Sequence, residues 1–127
     1  MDMDYERKLV LKYPELCKGY NNKNFELYYG FECSNGWFML LNDMLLELNN
    51  TNNKNIEILS IKEKGGKLVI NINNENEIVK DIINKYILKS ITVCEYCGKN
   101  GNIRKIRGYQ KTLCSNCMKI FERKIFN

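Results

Sequence analysis

Apolar positions along the chain fall first into helical and then into strand periods. Tyr5 to Lys12 reads as a short helix that Pro14 ends, because the residue before a proline disfavours the helical region. Phe25-Glu26-Leu27-Tyr28-Tyr29-Gly30-Phe31 is aromatic, with high β propensity, and predicts a strand. Trp37, Leu40, Leu41, Met44, Leu45 and Leu48 then recur at i, i+3, i+4, i+7, i+8 and i+11, with Asn42, Asp43 and Glu47 on the opposite face and Ser34 or Asn35 available as a cap. Asn49 to Asn55 reads as an Asn-rich loop. Ile56, Ile58, Leu59 and Ile61 lead to Gly65-Gly66, after which Leu68, Ile70 and Ile72 alternate with Val69, Asn71 and Asn73. That pattern predicts a β-hairpin whose glycines take φ > 0 in the turn. From about Glu75 to Lys89, the stripe Ile78, Val79, Ile82, Ile83, Tyr86 and Ile87 predicts a second strong helix, with acids at its start and Lys85 and Lys89 at its end.

The pattern breaks at the cysteines. Cys94-Glu95-Tyr96-Cys97-Gly98 and Cys114-Ser115-Asn116-Cys117 are two C-x-x-C pairs separated by 16 residues, the spacing of a zinc ribbon. A C-x-x-C turn presents two sulfurs from one tight loop, and two such loops complete a tetrahedron of sulfur around Zn²⁺. The intervening Ile103 to Arg107, a turn at Gly108 and Tyr109 to Leu113 would form the ribbon's arms. Paired disulfides, a redox C-x-x-C and an iron site are the alternatives. Four thiolates leave no open position for water, so such a metal is structural and supplies on the order of 10 kcal/mol of folding free energy. The predicted fold class is therefore α+β, with a small antiparallel sheet packed by two amphipathic helices and followed by a C-terminal Cys₄ zinc ribbon. Cys17 and Cys33 stand apart as small apolar residues, although Cys33 precedes a predicted helix N-terminus, a position that lowers a thiol pKa.

Charge divides the chain at the same place. Of 127 residues, 20 are Lys or Arg and 15 Asp or Glu, a formal net charge of +5. Residues 1–90 carry 12 basic and 13 acidic groups and residues 91–127 carry 8 and 2, so the boundary falls near Ser90, between an α+β core module (1–90) and a basic zinc-ribbon module (91–127). Four thiolates with one Zn²⁺ would lower the whole to about +3 and the ribbon from +6 to about +4. There is no histidine, which removes Ser-His-Asp and Cys-His catalysis, and with them the His-Asn-His nucleases that also carry two C-x-x-C pairs. The longest apolar run, Trp37 to Leu41, is far short of the roughly 20 residues that cross a bilayer, and the start Met1-Asp2-Met3-Asp4 is no signal peptide. The expectation is a cytoplasmic protein with no membrane partner.

Five segments occur in order: Tyr13-Pro14-Glu15-Leu16; Gly30-Phe31-Glu32-Cys33-Ser34-Asn35-Gly36-Trp37-Phe38; Ile61-Lys62-Glu63-Lys64-Gly65-Gly66-Lys67-Leu68; Cys94-x-x-Cys97-Gly98; and Thr112-Leu113-Cys114-x-x-Cys117. The series resembles a group of small, uncharacterised zinc-ribbon proteins of tailed phages and prophages, across roughly residues 13–117. Members tend to have Gly-Asp-Gly-Trp where this chain has Ser34-Asn35-Gly36-Trp37, and an acid or His where it has Cys117. The resemblance implies a phage protein acting on host machinery, in the cytoplasm of an infected or lysogenic bacterium.

These readings together predict a non-enzymatic zinc-binding protein that binds a host macromolecule. It would act as an inhibitor or adaptor directed at a defence protein, in the manner of an anti-CRISPR, or at a nucleic-acid-processing protein. The alternative is direct nucleic-acid binding, in which Lys99, Arg104, Lys105, Arg107 and Lys111 track phosphates while Tyr109 stacks on a base. Weaker alternatives are a nucleotide sponge lined by Tyr5, Tyr13, Tyr20, Tyr28 and Tyr29, and a carboxylate nuclease using Glu122-Arg123-Lys124 or Glu63-Lys64.

Overall fold

A computed structural model describes residues 1–126; Asn127, the last residue of the predicted ribbon module, lies outside the described residues. The elements run α1 (Met3–Lys12), α2 (Phe38–Asn49), β1 (Glu57–Lys64), β2 (Lys67–Asn73), α3 (Glu77–Ser90), β3 (Asn102–Ile106), β4 (Tyr109–Leu113) and α4 (Ser115–Phe126). Three 3₁₀ turns, Lys18–Asn21, Glu26–Tyr29 and Asn35–Trp37, connect α1 to α2. The fold is α+β with two antiparallel hairpins. β1 pairs β2 from Glu57 opposite Asn73 to Lys64 opposite Lys67, with an irregularity between Ile58 and Ser60, and β3 pairs β4 from Asn102 opposite Leu113 to Ile106 opposite Tyr109.

The stripe on α2 is the centre of the core. Leu41, Met44, Leu45 and Leu48 are buried together with Leu9, Leu27, Ile58, Ile61, Leu68, Val79 and Ile83 from the surrounding elements. Each large apolar side chain taken fully from water contributes roughly 1.5–3 kcal/mol, so this cluster is the main source of stability in the first module. A second cluster, Cys94, Ile106, Leu113, Cys117 and Phe121, sits inside the ribbon. α3 begins at the Asn76 cap, whose side chain accepts the Val79 N–H at 2.9 Å.

Three features differ from the sequence expectations. Phe25 to Phe31 is no strand: Glu26–Tyr29 is a 3₁₀ turn and Gly30 follows at φ 102. At the end of this segment the buried Glu6 carboxylate accepts the Phe31 N–H at 2.6 Å and the Tyr20 hydroxyl at 2.9 Å, so that backbone donor is held by a side chain and not by a neighbouring strand. A β-carbon at Gly30 would meet that same carboxylate. Neither Ser34 nor Asn35 caps α2 with its side chain; Asn35 instead exchanges two hydrogen bonds with Asp2, at 2.8 and 2.9 Å. Finally, the segment after Cys114, in which the sequence pattern predicts only a knuckle, is the helix α4, with Cys117, Met118, Phe121 and Ile125 turned toward the ribbon's cluster.

Candidate metal centre

The first knuckle is a turn at the end of α3. The Cys94 N–H donates to the Lys99 carbonyl at 2.7 Å and the Gly98 N–H to the Cys94 carbonyl at 2.9 Å, with Gly98 at φ 82, where a side chain would be strained. The second joins β4 to α4: the Cys117 N–H points at the Cys114 sulfur, 3.4 Å away, and the Met118 N–H donates to the Cys114 carbonyl at 2.9 Å.

The fold brings the Sγ atoms of Cys94, Cys97, Cys114 and Cys117 within 4.8 Å of one another, and Cys97 and Cys114 approach to 3.7 Å. A tetrahedron with metal–sulfur bonds of about 2.3 Å has sulfur–sulfur edges of about 3.8 Å, whereas a disulfide needs about 2.05 Å. All six cysteines are thiols, not disulfides. The donor set therefore fits one tetrahedral metal ion and leaves no coordination position for water. The four thiols are unequal: Cys114 is drawn down to about 6, first by the Cys117 N–H and then by the neighbouring thiols, while burial pushes Cys97 and Cys117 up.

The ribbon is seated on the core through residues that the cysteine spacing does not reveal. The turn Asn35–Trp37, with Ser34 before it, forms a shelf under the first knuckle. The Gly36 N–H donates to the Glu95 carbonyl at 2.8 Å, and the Trp37 indole Nε1–H to the Val93 carbonyl at 2.9 Å. A β-carbon on Gly36 would collide with the main-chain carbonyls of Cys94 and Glu95. Trp37, fully buried, is the core anchor expected of it, but its indole N–H also ties the core to the chain entering the knuckle.

Glu95 is the centre of this junction. Its carboxylate is 2% exposed, accepts the Ser34 N–H at 3.0 Å and receives Lys111 Nζ at 3.3 Å, while its own N–H donates to the Thr112 carbonyl at 2.9 Å. Burial raises its pKa, against the pull of the Lys111 ammonium. Lys111 also pairs with Glu63 at 2.8 Å, and the other Glu63 oxygen accepts the Gly66 N–H at 2.8 Å. Two further bonds tie the hairpins together: Thr112 Oγ1–H to the Gly66 carbonyl at 2.6 Å, and Gln110 Nε2–H to the Gly65 carbonyl at 3.1 Å. The glycine pair is the predicted hairpin turn, and it is also where β4 lands.

Of the expected contact residues, Lys111 faces inward and is half-buried at this junction. Arg104 is held by the ribbon itself, through its Nε–H to the Leu113 carbonyl at 2.9 Å and contacts to Met118 Sδ and Ser115 Oγ. Lys99, Lys105, Arg107 and Tyr109 are exposed, and the Tyr109 ring packs edge-on against Phe121 with centroids 5.7 Å apart. Cys33 does not have the lowered pKa that a helix N-terminus would give: it is buried, and desolvation pushes it up to about 12, as it does Cys17. The tyrosines of the first module are spread over different partners, Tyr5 on Phe38, Tyr20 on Glu6 and Phe31, and Tyr28 on Tyr29, while Tyr13 is buried. No helix among the described residues is long and apolar enough to cross a membrane. The chain matches no protein-family model, no curated protein and no solved structure.

Proposed function

We propose that the protein is a non-enzymatic, zinc-dependent binding protein of the phage type. Its ribbon docks on a host macromolecule, within a defence or nucleic-acid-processing assembly, as an inhibitor or adaptor in the host cytoplasm. Zinc is the metal that best suits a closed set of four thiolates, and its role at such a site is to hold the fold. The resemblance to phage zinc-ribbon proteins rests on the quoted segments alone. The absence of histidine, and the engagement of Glu63 and Glu95 with Lys111 and backbone N–H groups, argue against acid-base chemistry at this junction.

The observation that carries the reading is the one-sided seating of the ribbon. The acid Glu95 and the cation Lys111 are turned inward against the core, while Lys99, Lys105, Arg107, Lys119, Arg123 and Lys124 are exposed. The outward surface is thus more one-signed than the composition suggests, which suits a polyanionic partner. The test pairs metal analysis with partner capture from host extract. Wild-type protein should carry one zinc per chain and retain a partner that Cys114→Ser/Cys117→Ser loses; recovery of the same partner by the double variant would refute docking through the ribbon.

A further inference from the structure

The two hairpin turns, more than 40 residues apart in sequence, lie side by side and make a surface that neither module has alone. Gly65 and Gly66 (φ 60 and 84) form one turn, and Arg107 and Gly108 (φ 47 and 84) the other, so both have the left-handed central pair that continues the strand twist. The bonds from Gln110 to Gly65 and from Thr112 to Gly66 fix them together. Lys64 and Lys67, cross-strand partners flanking the first turn, therefore join Lys105 and Arg107 at the second, all four exposed. Between the turns runs an open groove of about 610 Å³, lined by Lys64, Tyr109, Gln110, Phe121 and the Glu63–Lys111 pair. Tyr109 is 55% exposed, its ring braced edge-on by the buried Phe121. Glu63, the acid in the groove, is already engaged by the Lys111 ammonium and the Gly66 N–H.

We propose that this twin-turn groove binds single-stranded nucleic acid, with a base stacked on Tyr109 and the flanking phosphates on Lys64, Lys67, Lys105 and Arg107. The inference rests on the reading of the ribbon as a docking arm and names its partner. Cations at both turns beside a single braced, open aromatic ring are the elements that bind an unpaired strand: the charges follow the backbone and the ring takes a base of any identity. A duplex keeps its bases stacked and offers no face to Tyr109. Lys64 and Lys67 come from the core, so the surface is wider than the basic ribbon. The ribbon's other open groove, lined by Lys99, Asn102, Arg104 and Asn116, suits an anion less well. It borders Cys114, a thiolate of a centre that would stay negative with zinc bound.

The experiment is fluorescence anisotropy of the zinc-loaded full chain with labelled 15-mers of dT and of U, and with a 15-base-pair duplex, from about 50 to 200 mM salt. Both single strands should bind more tightly than the duplex, with a log–log salt slope of about −3 for four phosphates. Lys64→Ser/Lys67→Ser should weaken binding at least 5-fold and reduce the slope by about 1.4. Tyr109→Leu should weaken it about 10-fold and leave the slope unchanged, with Tyr109→Phe retaining affinity. Unaltered melting temperatures establish that the variants fold. Equal or better binding of the duplex, no binding of either strand at about 50 mM salt, or undiminished binding by Lys64→Ser/Lys67→Ser would each overturn the proposal. A host protein captured through these same lysines, without strand binding, would overturn it too, and would leave the docking-arm reading standing; that reading is tested separately by the cysteine variant.

Discussion

Replacing Gly36 with alanine probes how firmly the first knuckle and the core are packed together. Gly36 has no positive φ, so alanine meets no backbone penalty there. Its β-carbon would instead run into the Cys94 carbonyl oxygen and the Glu95 carbonyl group, main-chain atoms that cannot swing aside as a flexible side chain would. Relieving such overpacking costs about 1–3 kcal/mol, and separating the two backbones also gives up the Gly36 N–H bond to Glu95, worth about 1 kcal/mol. The expected loss is about 2–4 kcal/mol. At about 3–5 °C per kcal/mol for a domain of this size, the melting temperature should fall by about 10 °C. Gly108→Ala is the contrast: nothing lies within 4 Å of its β-carbon, but φ is +84, so it should cost only about 1–2 kcal/mol of local strain. Thermal unfolding followed by circular dichroism and by the fluorescence of Trp37, with and without a chelator, reads the outcome. If removing the metal loosens the knuckle, the penalty at Gly36 should shrink in chelator while that at Gly108 shrinks less. A Gly36→Ala protein within about 2 °C of wild type with metal bound would refute the packing argument, and an equal penalty with and without metal would show that the knuckle keeps its place without the ion.

Lys111→Met leaves the buried Glu95 and the partly buried Glu63 without their shared cation and should cost about 3 kcal/mol in urea unfolding, part of which Glu95→Gln in the same chain restores. Metal affinity should fall with acid. Cys114, with its pKa lowered to about 6, favours the fold as a thiolate at neutral pH and loses that contribution as pH drops through about 6, whereas Cys97 and Cys117, with raised pKa values, give up protons when metal binds. A competition titration between pH 8 and 5 should therefore show affinity declining throughout, most steeply below about 6; a flat profile would count against thiolate ligation. Cys17 and Cys33, raised to about 12 by burial, should resist a thiol reagent at pH 8 in the native metal-bound protein and react on unfolding. Rapid native labelling of either would show that its burial is not maintained.

Much of the fold was legible because its signals are local. The α2 stripe, the α3 stripe apart from the exposed Ile78, and the Gly65-Gly66 turn each follow from residues a few positions apart, and the four cysteines announce their own spacing. The failures have a common physical cause. Phe25 to Phe31 has strand propensity, but the Phe31 N–H is claimed by Glu6, far back in the chain, and no local pattern carries that information. Asn35 looks like a cap and is spent on Asp2. Lys111 and Glu95 read as part of a basic surface and a knuckle's filler, and only the docking of the two hairpins makes them a buried pair. α4 was the exception, since the spacing of Cys117, Phe121 and Ile125 was present in the sequence but overshadowed by the metal motif.

The shelf beneath the first knuckle would tie the lifetime of the protein to a metal held by the four cysteines. Ser34, Gly36 and Trp37 belong to the core, yet each makes a hydrogen bond to the segment from Val93 to Glu95, which carries the first of the four sulfurs. Were a bound metal lost and the segment to loosen with it, backbone donors, the indole and the junction carboxylate would be exposed at once. A chain in that state is a substrate for cellular proteases, so scarcity would be felt as faster turnover of the whole protein and not as an intact core with a slack arm.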